Sequence, residues 1–385
     1  MAPAERTPAG LRELAALFLR LGATVFGGPA AHLARFREEV VLRRGWLDER
    51  SFADLVGAAS LLPGPTSTEV AIAIGRERAG IPGMLVSGGL FILPAALLVL
   101  LLAIGYTQLG ELPALRWILA GVQPAVVLVI VQAVARLAPG ALGGRAERLL
   151  AVGALLLAVA GVHPLAILAA AAFGLAAARG LGRGEAVAAL LLPGPLPGLA
   201  AVAGVATIAL LPLFLLFLGL GVVTFGSGYL LFAFLREALV LPGLIPDRVL
   251  LDAIAVGQIT PGPLFSTATF LGYLLAGIPG AIVATVGIFL PAFVLVGLAH
   301  PLLPRIRASR RLGTLLDGVN AATIGLLAAV SVELARSAIT GLATAAIAAG
   351  AALLLGSGRV GPTGVLALGA LAGLVLGAAG LLVPA

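Results

Sequence analysis

The chain alternates long apolar runs with short arginine-bearing stretches. Runs of about 20 residues, enough for a helix to cross a bilayer, begin near Leu11, Pro82, Pro113, Ala146 and Pro164 in the first half. In the second half they begin near Gly198, Pro279, Thr314, Ile339 and Gly361. The first of these runs contains Arg12 and Arg20, and the run from Pro164 is short. Two further apolar stretches, 52–79 and 249–276, are each cut by a Pro-Gly-Pro triplet, at Pro63-Gly64-Pro65 and Pro261-Gly262-Pro263. Neither is long enough for two full crossings at 1.5 Å rise per residue. Each is therefore predicted to be a broken helical hairpin, two half-helices that enter and return. The expected fold class is an all-α polytopic membrane protein.

The same text occurs twice. Phe26-Gly27 matches Phe225-Gly226, and Arg37-Glu38 matches Arg236-Glu237, 199 residues on. The Pro-Gly-Pro triplets are 198 apart. "AGIPG" at 79–83 and 276–280, Pro94-Ala95 and Pro291-Ala292, and Gly121-Val122 and Gly318-Val319 are all 197 apart. Kept order with so little drift is the mark of a tandem duplication. It predicts an N-terminal membrane repeat over 1–185 and a C-terminal one over 186–385, joined near 179–187 and the "PGPLPG" of 193–198. Five crossings per repeat is an odd number, so the second repeat is expected to be inverted. The arginines agree. The stretch 35–50 carries Arg35, Arg37, Arg43, Arg44 and Arg50, whereas its counterpart carries only Arg236 and Arg248. After the next span the bias reverses: 105–115 has no basic residue, but "PLLPRIRASRRLG" has Arg305, Arg307, Arg310 and Arg311. Positive-inside bias puts both arginine-rich loops in the cytoplasm. Both termini are then expected outside, against the mild pull of Arg6 and Arg12.

Composition narrows the class. Of 385 residues 61% are hydrophobic and only 11% charged, against roughly 25% charged in soluble domains. The net charge of +7 comes from 24 basic residues, all arginine. Because they lie between apolar runs, they point to membrane topology rather than nucleic acid. There is no cysteine, and His32, His163 and His300 have no metal-ligand spacing. No lysine exists for a phosphate-binding loop and no H-E-x-x-H occurs. Neither an enzyme nor a cofactor is expected, and the N-terminal stretch has no removable signal peptide pattern. Inverted repeats with broken helices are a recurring build of secondary transporters, so the energy for transport is expected to come from an ion gradient.

The chemistry gathers at the breaks. Thr66, Ser67, Thr68 and Glu69 follow the first triplet, and Ser266, Thr267 and Thr269 follow the second. Pro65 and Pro263 suit the first helical position. Each triplet thus opens a half-helix whose free N–H groups and dipole favour an anion. Gly64, Gly262, Gly27 and Gly226 allow close backbone approach. The plainer reading makes the hydroxyls caps and small packing residues. Glu69 completes a T-S-T-E capping box with Thr66, and it is also a candidate proton carrier at membrane depth. Arg20 lies inside an expected span and needs a partner: the anion, Glu69, or escape to the interface. Arg76 and Arg78 either draw anions or fix orientation. Gln123 and Asn320 occupy matching positions and either touch substrate or tie helices together. Asp252 and Asp317 lie near span ends and are expected to be solvated.

These motifs, in order, resemble the chromate ion transporter family. The resemblance rests on "FGGP" with the following His32, "RRGW" at 43–46, "LLPGPTSTEVAIAIG", "AGIPG" and "FILP" in the first half. In the second half it rests on "TFGSGY", "ITPGPLFSTATFLGY" and "AGIPGAIVAT". It implies a two-repeat inner-membrane protein that exports chromate and confers chromate resistance, with sulfate as the related tetrahedral oxyanion. The expected partners are that oxyanion, the lipid bilayer and a second copy in a homodimer. The coupling ion stays open, and an anion channel would use the same helix ends.

Overall fold

The computed structural model describes residues 10–110, 112–179, 209–225, 228–299 and 310–382. The expected span from Gly198, the join between repeats, Gly226, His300, Arg6, Arg305 and Arg307 lie outside them. Fourteen α-helices are present among the described residues. In the first half they are α1 (Leu11–Thr24), α2 (Gly28–Arg37), α3 (Glu49–Ala59), α4 (Thr66–Leu109), α5 (Pro113–Ala141), α6 (Arg145–Val159) and α7 (Pro164–Ala178). In the second they are α8 (Leu210–Val223), α9 (Leu230–Leu235), α10 (Asp247–Ile259), α11 (Thr267–Ala299), α12 (Arg310–Ala338), α13 (Leu342–Ser357) and α14 (Pro362–Ala378). The chain is an all-helical membrane protein. Among the described residues, four helical stretches are long and apolar enough to cross a membrane: Thr66–Leu109, Pro113–Ala141, Leu264–Leu298 and Leu312–Ala338.

Five other expected spans are shorter than predicted. α1, α6, α7, α13 and α14 have 14 to 17 residues, about 21–26 Å at 1.5 Å per residue. The cause is local. α1 stops where the chain turns extended at Val25. The first turn of α6 carries Arg145, Glu147 and Arg148.

The duplication is visible in the backbone. α4 and α11 each contain one non-helical pair: Ala79 (φ −143°, ψ 26°) with Gly80 (φ 61°, ψ −146°), and Ala276 (φ −151°, ψ 28°) with Gly277 (φ 63°, ψ −156°). The glycine angles lie at the edge of a region that side chains exclude, which is why "AGIPG" recurs. The chain folds back so tightly there that Gly75 meets Gly83, and Gly272 meets Gly280, with no room for a Cβ. A π-helical turn also recurs, at Glu38–Arg43 and Arg236–Val240. Each is followed by a matched ion pair: Arg37 with Glu49, and Arg236 with Asp247, where Nε lies 2.9 Å from Oδ1.

Two compact units form, and each draws on both halves of the sequence. The first holds α1–α3, most of α4, α8 and α11. Its core packs Phe18, Phe36 and Phe91 edge to face, with centroids 5.2–5.8 Å apart. The second holds α5–α7, α9 and α12–α14, while α10 is shared out between the two. In it, Gly121 of α5 packs on Gly369 and Gly373 of α14, and its counterpart Gly318 of α12 packs on Ala171 and Ala172 of α7. Small residues of this kind let helices approach closely in lipid.

Replacing Gly80 or Gly277 by alanine should lower stability by about 1–3 kcal/mol through backbone strain alone, because open space surrounds Gly80. Gly89→Ala, in a regular part of α4 with nothing within 4 Å, should leave stability unchanged or slightly raised. Thermal unfolding in detergent reads the difference.

Candidate functional site

In the first unit the chain leaves α1 through extended Val25 (φ −94°, ψ 113°), and Gly27 at φ 105° turns it into α2. α8 ends in the same way at Thr224 (φ −84°, ψ 103°). Extended backbone inside an apolar protein needs partners. Each break finds them in the other half's Pro-Gly-Pro triplet. Gly64 N–H donates to the Thr224 carbonyl at 2.7 Å, and Gly262 N–H donates to the Val25 carbonyl at 3.0 Å. Pro63 and Phe225 add an isolated antiparallel bridge. Val25 and Thr224 are repeat counterparts, as are Gly64 and Gly262. One interaction is made twice, with the halves exchanged.

The glycines seat reciprocally as well. A Cβ on Gly262 would lie 2.8 Å from the Ala95 Cβ, and a Cβ on Gly64 would lie 3.6 Å from the Ala292 Cβ. Both glycines hold positive φ, 138° at Gly64 and 97° at Gly262. The second halves of α4 and α11 therefore cradle each other's triplets.

Helix α4 starts at Thr66. The Pro65 carbonyl accepts from Thr68 and Glu69 N–H at 2.7 and 3.0 Å, and the Pro263 carbonyl accepts from Ser266 N–H at 3.0 Å. The prolines are thus cap residues rather than the first helical residues expected, because their carbonyls take the first intrahelical bonds. Thr66, Ser67, Thr68, Glu69, Ser266 and Thr267 are all buried. Thr68 Oγ1 and Ser266 Oγ, 198 positions apart, have no hydrogen-bond partner among the described residues. Thr267 Oγ1 instead donates to the Leu264 carbonyl at 2.9 Å, inside its own turn.

Both carboxylate oxygens of Glu69 likewise have no partner among the described residues. They lie against Gly64, where a Cβ would come within 2.7 Å of Oε1. The expected capping box is not formed. The cap is Pro65, not Thr66, so Glu69 stands one position too far along, and Pro65 has no N–H to offer it.

Arg20 also departs from expectation. Its partner is Glu39 at 2.7 Å, not Glu69. Glu39, only 4% exposed, further meets Arg43 at 3.2 Å and Arg44 at 3.4 Å. The guanidinium groups of Arg44 and Arg78 lie 5.4 and 5.3 Å from the Trp46 ring. In the flanking loop, hydrogen bonds from Arg35 and Arg37 hold the Glu38 and Glu49 carboxyls below their usual range, and the Ser51 N–H does the same for Asp48.

His32 went unassigned by the sequence. Its Nε2 lies 3.2 Å from the Val25 carbonyl, the same oxygen that receives Gly262. Its ring packs 5.3 Å from Phe91. The position after "FGGP" is a signal only in hindsight, because the partner is a backbone atom.

Gln123 and Asn320 belong to the second unit. Gln123 Nε2 donates to Asp252 Oδ1 at 2.8 Å, and the Tyr106 hydroxyl donates to Oδ2 at 3.0 Å. Asp252 is 2% exposed rather than solvated, because two other helices close over its face of α10. Asn320 borders a cavity of about 590 Å³ with Arg145, Glu147, Arg179 and Asp317, where Arg179 bridges Glu147 and Asp317. Asp317 is exposed, as expected.

The chromate transporter family model matches twice, over residues 12–175 and 211–374. The chain is 34% identical over 347 residues to a chromate transport protein of Pseudomonas aeruginosa, covering 86% of this chain and 82% of that protein. It is 32% identical over 379 residues to the chromate transport protein of Cupriavidus metallidurans, covering 95% and 93%. A probable chromate transport protein of Synechococcus elongatus is 29% identical, covering 91% of each chain. No solved structure matches.

Glu39→Ala should destabilise the protein by about 1–3 kcal/mol, since it strips a buried carboxylate from three guanidinium groups. Glu49→Ala, at an exposed pair, should leave the melting temperature nearly unchanged. Thermal melts of the two purified variants test the contrast.

Proposed function

The chain belongs to the chromate transporter family, and we propose that it is a secondary active transporter exporting a tetrahedral oxyanion, chromate first, across the inner membrane. One observation carries the reading. At each break a buried hydroxyl has no partner among the described residues, Thr68 in the first turn of α4 and Ser266 in the short 3-10 turn that leads into α11. A tetrahedral dianion has acceptors on every side, so it suits donors arriving from two helix ends at once. The first-turn N–H groups of both helices and the hydroxyls of Thr66, Ser67, Thr68 and Ser266 form the proposed ligand set, and Thr267, whose hydroxyl donates to the Leu264 carbonyl, is left out. Gly64, Gly262 and Gly27 keep side chains out of the way. Arg20 and Gln123 are engaged by Glu39 and Asp252 and are left out, as is Asn320 on its cavity.

In this reading the repeats, 1–185 and 186–385, lie in opposite orientations, with the arginine-rich loops at 35–50 and 305–311 in the cytoplasm. The exchange of one hydrogen bond between the halves supports a two-fold relation of that kind. Inverted repeats with broken helices suit alternating access around a central site. Glu69, buried beside the first break, is the candidate for carrying a coupling proton.

The test is radiolabelled chromate uptake into everted vesicles. A pH gradient should drive accumulation above equilibrium, and a protonophore should abolish it. Entry only to equilibrium would make the protein a channel, and accumulation of sulfate but not chromate would reassign the substrate. Thr68→Ala and Ser266→Ala should each raise the chromate KM about tenfold, as expected for one lost hydrogen bond to a charged ligand. Unchanged kinetics in both variants would remove the helix ends from the site.

A further inference from the structure

A buried carboxyl outside this site is left without a task. Asp252 lies on α10, the helix that leads into the second Pro-Gly-Pro triplet. Its side chain is held by two donors, Gln123 Nε2 at 2.8 Å and the Tyr106 hydroxyl at 3.0 Å. The titratable or charged groups acting on it are Tyr106 and, one turn earlier on its own helix, Arg248. No ion pair joins Arg248 to it among the described residues, and Gln123 is neutral.

An ionised carboxylate shut away from water without a paired cation is expensive, and neutral donors offset that only in part. A structural tie between helices would be made more cheaply by an amide. A metal-ion site would demand several oxygen ligands, yet among the described residues no group of three or more His, Cys, Asp or Glu is gathered. A proton needs only the one carboxyl. The repeat counterpart of Asp252 is Asp54 on α3, 198 residues earlier, and it is exposed. The same position thus occurs once exposed and once buried in the two halves, and a proton carrier has to be open in one state of the cycle and closed in another.

We propose that Asp252 is a proton-binding site of the transport cycle, loaded when water reaches it and closed off by Gln123 and Tyr106. This rests on the transporter reading above, with Asp252 adding one proton to whatever Glu69 carries.

The test uses full-length protein in proteoliposomes, with the voltage clamped at zero and a pH gradient of one unit. Each coupled proton then contributes up to tenfold to the steady accumulation of chromate, because one pH unit is a tenfold ratio of proton activity. Asp252→Asn keeps the shape and can keep both hydrogen bonds. It should lower accumulation about tenfold, flatten the pH profile of net transport, and still exchange chromate for chromate without a gradient. Asp252→Glu should restore the gradient dependence. Wild-type accumulation in Asp252→Asn would overturn the proposal, and so would loss of exchange together with accumulation, which marks a structural tie. If wild-type protein is driven by another ion but not by protons, Asp252 fails while the transporter reading stands. If no gradient drives wild-type protein, the transporter reading itself falls.

Discussion

Two backbone hydrogen bonds hold the centre of the first unit together: Gly64 to Thr224, and Gly262 to Val25. A chain buried in apolar surroundings cannot leave peptide groups unpaired, since each orphan costs several kcal/mol where water is absent. Breaking a helix creates such orphans. Here each half breaks twice, and each break is satisfied by a break in the other half. The solution requires both halves at once. A single repeat on its own would expose the peptide groups that its partner covers, so two repeats have to meet. Positive φ at both triplet glycines and the tight seats against Ala95 and Ala292 follow from it, because the backbone must come close enough to bond.

The shared backbone frame carries unequal chemistry. Thr68 and Ser266 are equivalent in place and in lacking partners. The next position is Glu69 in one half and Thr267 in the other, where the threonine turns inward to its own carbonyl. His32 braces the Val25 carbonyl, and the second half has Leu231 at that place. Asp252 is enclosed while Asp54 is not. Symmetry thus supplies the frame, and departures from it supply the titratable groups.

What was legible in the sequence was what the backbone demands of residue type. Ala79-Gly80 and Ala276-Gly277 adopt matching angles that only glycine tolerates easily, so the motif had to recur in the text. The recurrence of motifs was readable for that reason, although the kinks themselves were not foreseen. Partnership was not. Arg20 meets Glu39 and Gln123 meets Asp252 because of which helices lie together, and hydropathy carries no record of that. The failed capping box shows the same limit from the other side. T-S-T-E has the right spacing, but the residue that closes the box is the proline before it. The length of α1 was over-read because apolar text runs on past Val25, where the backbone has already left the helix.

The engagement of Arg20 by Glu39 bears on how an anion could pass. A bare guanidinium at the centre would bind a dianion strongly, but an ion that must leave again is poorly served by a deep well. Helix ends offer about half a charge each, fixed in direction and needing no counter-ion. Hydroxyls add donors that turn to suit either an anion or water. With the arginines held at Glu38, Glu39 and Glu49, their full charges are neutralised outside the breaks, and the helix ends share the first break with the one ionisable side chain of Glu69. Under the proposed function, such an arrangement would attract a tetrahedral oxyanion without trapping it, where a single buried arginine would give a stronger but less reversible site.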